Sequence, residues 1–240
     1  MKVALIPPNV IRLDYAQRKF HLIVPDSYSE EVAGYAGYVI LDNGAAEKNL
    51  KGLNWLDRAC DTGLFNEVVS IDKLGDCEFS IEGAKSMELI SNKYPDMSIM
   101  GVVQGDSMAK VVKCLTAYQH MEHIDVIGLP RVLNEQFGPQ SRLRLAEAIQ
   151  NDPDFNKPIH CLGAWYGFPE EIKYLSDIES VRSMDSSLPF VLGLQNLSFM
   201  DRLPSDLKRP SMYFSSFPTA TQRKVIDDNV RIYLNWAQTS

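Results

Sequence analysis

Short apolar runs alternate along the chain with longer stretches of helical period. The runs are VALIPP (3–8), FHLIVPD (20–26), YVILDNG (38–44), EVVSID (67–72), SIMGVVQGD (98–106), IDVIGLP (124–130), IHCLGAW (159–165) and VRSMDSS (181–187). Most are rich in Val and Ile, and several are apolar through their cores, which is how strands buried on both faces read. Between them, apolar residues recur at helical spacing over 47–60 (Leu50, Leu53, Leu56, Ala59) and 81–94 (Ala84, Met87, Ile90, Tyr94). The same spacing recurs over 108–119 (Val111, Val112, Leu115, Tyr118) and 139–149 (Leu143, Leu145, Ala146, Ile149). Pro169 ahead of two glutamates marks a helix start for 169–178.

Eight strands alternating with helices predict an α/β chain, a (β/α)8 TIM barrel forming one domain over 1–240. An open doubly wound sheet is the runner-up, but no GxGxxG or GxxxxGK follows any run. The first two runs are joined by too little chain for an ordinary crossover helix, so that corner is expected to be irregular. Residues 191–219 have no clear period and contain Pro204, Pro210 and Pro218, so they read as a long loop or lid. A last helix is expected over 219–238, with Val225, Ile226, Val230, Tyr233 and Leu234 available for packing.

Composition narrows the class. With 45% hydrophobic and 23% charged residues, the 240-residue chain has the profile of a folded globular domain. No apolar run approaches the ~20 residues that span a bilayer, and the first residues lack a signal pattern. No membrane association and a cytoplasmic location are therefore expected (the host cytoplasm if the chain is phage-encoded). Cysteines 60, 77, 114 and 161 form no CxxC pair and read as scattered buried thiols. His120 and His123 have helical ligand spacing without a third candidate nearby, and His160 opens a strand as a packing residue. Neither metal nor cofactor is expected. The net charge of −7 argues against a broad basic surface, but leaves room for a local strip. Arg202, Lys208 and Arg209 in the irregular segment are the candidates for phosphate contact, with Arg182, Arg223, Lys224 and Arg231 adding charge nearby.

In a barrel the site is built at the C-terminal ends of the strands. There the chain has Asp42, Asp72, Gln104, Gly128 and Asp185. Two carboxylates can carry out a double displacement at a sugar, one as nucleophile and one as acid/base. A carboxylate and an amide can pair with the edge of a guanine.

From about Tyr38 to Pro189 these segments resemble the tRNA-guanine transglycosylases, and especially their shorter phage relatives that place 7-deazaguanines in DNA. LDNGAAE resembles the family's Asp-Ser-Gly-Gly motif, which makes Asp42 the general acid/base and puts Asn43 beside the base. VVSID resembles the segment of the base-recognising aspartate, here Asp72, although Asp76 lies close enough to compete. MGVVQGDS resembles the glutamine segment (Gln104), and VIGLP the stretch whose backbone meets the base carbonyl (Gly128, Leu129). HCLGAW resembles the strand beside the base plane (Leu162, Gly163), and SMDSSLP resembles the segment of the nucleophile, Asp185.

The departures are informative. Ala46 stands where the family stacks an aromatic residue, with Trp165 and Tyr166 available after the seventh run. No counterpart of the cysteine-rich zinc segment follows the nucleophile strand, and LPFVLGLQ replaces a basic run. The resemblance therefore implies exchange of guanine for a 7-deazaguanine in DNA, through a covalent Asp185–sugar intermediate, with DNA and the free bases as partners. Exchange on tRNA is the alternative. A nucleobase-binding protein without catalysis, or an N-glycosidase, is the alternative of a different class.

Overall fold

In the computed structural model, which describes residues 1–11, 14–15, 20–23, 37–46, 48–204 and 207–238, every one of the eight runs contains a strand. They are β1 (Lys2–Leu5), β2 (Phe20–Ile23), β3 (Tyr38–Leu41), β4 (Glu67–Val69), β5 (Ser98–Val102), β6 (Val126–Pro130), β7 (Ile159–Leu162) and β8 (Val181–Ser186). All pair in parallel with their sequence neighbours, and β8 pairs with β1 over four residues. The result is an α/β fold whose parallel sheet curls through seven strands, from β3 round to β1. β2 bridges the two ends, pairing with β3 over four residues and with β1 through Leu5 and His21 alone.

Side chains alternate between two apolar layers. Ala4, Ile40, Val69, Met100, Val102 and Val126 meet inside the curl. Their neighbours Val3, Leu5, Val39, Leu41, Val68, Ile127 and Met184 face outward into the layer covered by helices. Both faces are buried, so the strands show no polar alternation. One irregularity interrupts this order. Opposite β7, Ile159 aligns with Val181 but His160 aligns with Ser183, so Arg182 is an extra residue, a β-bulge. The bulge turns Arg182 inward, where its guanidinium binds both carboxylate oxygens of the fully buried Glu67 on β4. β4 and β8 are not sheet neighbours, so this pair spans the interior of the curl. The Tyr38 hydroxyl donates to the same carboxylate at 2.8 Å.

The helices are α1 (Leu53–Cys60), α2 (Cys77–Ser86), α3 (Glu88–Lys93), α4 (Met108–Gln119), α5 (Val132–Phe137), α6 (Ser141–Gln150), α7 (Glu171–Leu175), α8 (Leu188–Leu194) and α9 (Ala220–Trp236). α4 matches its expected span, starting at Ser107, whose hydroxyl accepts from the Lys110 amide. The single helix expected over 81–94 is two, meeting at Met87. The helix expected from residue 47 starts only at Leu53. α5 and α8 have no counterpart in the sequence pattern. α8 occupies the start of the expected loop, and among the described residues the rest of 191–219 contains one 3-10 turn, Tyr213–Ser215. α9 begins at a capping box made by Thr219 and Gln222. In the corner between β1 and β2, Asn9–Ile11 form a 3-10 turn, while 12–13 and 16–19 lie outside the described residues. The four cysteines are buried free thiols. Among the described residues no helix is long and apolar enough to cross a membrane.

Candidate active site

Where the strands end, Asp42, Asp72 and Asp185 line one cavity of about 710 Å³ together with Asn43, Gln104, Leu162 and Gly163. This volume falls within the range of about 300–1,000 Å³ usual for small-ligand sites. All three carboxylates are at least nine-tenths buried.

Asp72 is held by two neutral amides. Asn43 donates from Nδ2 to its Oδ1, and Gln104 from Nε2 to its Oδ2, each at 2.5 Å. The far ends of the two amides are fixed as well. Asn43 Oδ1 accepts from the Ala45 amide at 2.8 Å, and Gln104 Oε1 from the Gly75 amide at 3.0 Å. With their oxygens so engaged, both amides must turn their NH₂ groups toward Asp72. Burial pushes the Asp72 carboxyl up to about 6, against the pull of these two donors. Each oxygen has a further lone pair for an N–H donor of a ligand. Asp76, the other candidate on this loop, caps α2 through the Phe79 amide and pairs with Lys73 outside the cavity.

Asp42 follows β3 directly, and its Oδ1 accepts from the Gly44 amide at 2.9 Å. Asp185 lies in β8, and its Oδ2 meets two groups: the Gly163 amide at 2.9 Å and His160 Nε2 at 3.1 Å. His160 is fully buried, with Nδ1 2.8 Å from Ser183 Oγ. It shares the inward face of β7 with Leu162, two residues on. That spacing was the available signal that this histidine does more than pack.

Gly163 has a φ of +71°, a conformation that costs glycine little. Its amide points at Asp185 while its carbonyl accepts from Arg142 Nη1 at 2.8 Å. Arg142 is wholly buried on α6, takes the Leu162 carbonyl at 3.0 Å as well, and is ion-paired with buried Glu171. Nothing in the sequence distinguishes this arginine from a surface one. The side chain that positions the end of β7 was therefore missed.

Two expected contacts lie elsewhere. Gly128 and Leu129 sit inside β6 below the cavity, which is lined at the end of that strand by Pro130 and Arg131. A side chain at Gly128 would come within 2.6 Å of Leu162 and 3.0 Å of Met100 and Val102, so the glycine permits interior packing. Its carbonyl is taken by the Val103 amide, and the Leu129 side chain packs in the outer core. The correction is one of depth: β6 continues through Pro130, so its C-terminal end lies two residues beyond Gly128.

At the rim, Lys208 and Arg209 line the cavity, with Arg131, Trp165, Tyr166, Ala45 and Ala46. The Arg131 guanidinium lies 5.4 Å from the Tyr166 ring centre. Tyr213 ties this part of the irregular segment down by donating its hydroxyl to the Ile6 carbonyl. Arg202 is exposed and does not line the cavity. Arg182 serves the opposite end of the sheet, and Arg223 and Arg231 pair on the surface with Asp14 and Asp228. His123 Nε2 lies 2.9 Å from the Ala84 carbonyl. Among the described residues no three His, Cys, Asp or Glu side chains cluster as a metal site. No family model and no curated protein matches the chain.

Proposed function

We propose that the curled sheet is a (β/α)8 barrel of the guanine-transglycosylase type, and that the chain exchanges guanine in DNA for a 7-deazaguanine. The observation that carries this reading is the meeting of Asp42 and Asp185, 143 positions apart in the sequence by the difference of their numbers, at one cavity beside an amide-held third carboxylate. The hydrogen-bonded strand order, which returns from β8 to β1, supports the barrel.

The chemistry starts with a deoxyguanosine flipped into the cavity, at a cost of a few kcal/mol of lost stacking. Asp72 accepts N–H donors of the base edge. Asp185 attacks C1′ as the base leaves, and Asp42 supplies the proton that the departing N9 needs. The free base is then replaced by a 7-deazaguanine, whose N9 proton passes to Asp42 as N9 displaces Asp185 from C1′. Arg131, Lys208 and Arg209 at the rim give an acidic chain a local cationic strip for the flanking phosphates. Trp165 and Tyr166 supply aromatic surface where Ala46 has none.

The test is incubation with labelled guanine and either DNA or tRNA. Label is expected in DNA. Entry into tRNA alone would move the activity to that substrate, and incorporation into neither would overturn the exchange reading.

A further inference from the structure

His160 makes a contact that the exchange scheme above leaves unused. Its Nε2 and the Gly163 amide both address the same oxygen of Asp185, Oδ2, at 3.1 and 2.9 Å. A carboxylate only accepts, so Nε2 carries the hydrogen. On the other side of the ring, Nδ1 lies 2.8 Å from the Ser183 hydroxyl oxygen. The ring is fully buried, and each of its two nitrogens has one partner, so its plane is fixed. The amide is fixed equally firmly, because the Gly163 carbonyl is held by Arg142, itself tied to Glu171.

We infer that His160 and the Gly163 amide form a two-donor cradle for Oδ2 whose work falls in the second half of the exchange, where it speeds release of Asp185 from the sugar. This inference rests on the exchange reading. With Oδ2 engaged, attack at C1′ falls to Oδ1. In the first step the Oδ1–C1′ bond forms as N9–C1′ breaks, and the carboxylate loses its charge, Oδ2 becoming an ester carbonyl. In the second step N9–C1′ forms, Oδ1–C1′ breaks, and the bonding pair returns to the carboxylate. Charge therefore develops on Oδ2 only during release, and two preorganised donors aimed there stabilise that transition state, as an oxyanion hole does. By the same logic they hold the free carboxylate and give no help to the attack. His160 acts through Asp185, so it is a positioning residue.

The experiment follows the covalent DNA–protein adduct by rapid quench in the wild type and in His160→Leu, with thermal unfolding of each as a control on the fold. In His160→Leu, release is expected to slow about ten- to a hundredfold while formation is unchanged or faster, so adduct accumulates. His160→Gln, which keeps an N–H donor, recovers part of the release rate. Ser183→Ala, which frees the ring without touching Asp185, shows a smaller effect of the same sign and serves if the leucine variant does not fold. Equal slowing of both steps, or an unchanged ratio of formation to release, overturns the cradle while leaving the exchange reading intact. Absence of both exchange and adduct in the wild type overturns both.

Discussion

The two ends of the curled sheet bury carboxylates in opposite ways. At the N-terminal ends of the strands, Glu67 meets a guanidinium across the interior and a tyrosine hydroxyl, so its charge is cancelled by Arg182. At the other end, Asp72 meets two amides, Asp185 an imidazole and a backbone N–H, and Asp42 a backbone N–H. Amide donors, such as the two on Asp72, orient a carboxylate without neutralising it. The first arrangement consumes a buried charge and closes the interior. The second holds its acids beside a cavity whose rim carries Arg131, Lys208 and Arg209. Inside the curl, the acid paired with a cation thus lies at one end and the acids that line the cavity lie at the other, while the buried Arg142–Glu171 pair joins α6 to α7.

The contrast is broken most sharply by exchanging acid for amide at each end. Asp185→Asn is expected to abolish exchange and adduct with little change in melting temperature. Glu67→Gln is expected to leave exchange by the folded protein intact but to cost about 3 kcal/mol of stability, because the buried ion pair with Arg182 is broken. A quarter of the Arg182 side chain remains exposed, which keeps the figure at the low end. Denaturant unfolding and exchange assays on the same preparations decide it. Loss of exchange in Glu67→Gln at unchanged stability would remove the distinction.

A smaller effect is expected from pH. Asp72 sits near 6 in the fold against 3.8 for an ordinary aspartate, because burial penalises its charged form. Guanine affinity should therefore fall as pH is lowered through about 6, where the acceptor gains a proton. Stability moves the other way. The folded chain holds this proton more firmly than the unfolded chain, so the contribution of Asp72 is fully present below about 3.8 and is lost as pH rises through about 6. Asp72→Asn should flatten both responses, as read by calorimetric titration and by melting curves across that window. The smallest change is expected at the rim. Lys208→Ala and Arg209→Ala should each reduce the slope of log affinity for DNA against log salt by about one, while Arg202→Ala leaves it unaltered.

Much of this fold was legible because parallel strands buried on both faces are short, apolar and β-branched, and all eight runs contain one. Helices were legible only where one side faces solvent. α8, LPFVLGL, has six of its seven residues buried, so it has no polar stripe to show its period and reads as loop. Asp42, Asp72, Gln104 and Asp185 could be chosen because each follows or closes a strand. Gly128 and Leu129 could not be assigned a depth, since a strand's last residue is poorly marked when Pro130 continues the sheet. Arg142 and Arg182 were beyond reach for another reason. A buried arginine is defined by its partners Glu171 and Glu67, and those lie 29 and 115 positions away.

The extra residue in β8 has a consequence of its own. Positions 182 and 185 differ by an odd number, so on a regular strand only one of them could look into the curl. The bulge corrects that parity, letting one short segment place a cation at one mouth of the fold and an acid at the other. Straightening the strand with the same residues would force a choice, expelling either the guanidinium or the carboxylate. The irregularity is thus a condition of the segment's two contacts, and a variant that irons it out should lose one of them.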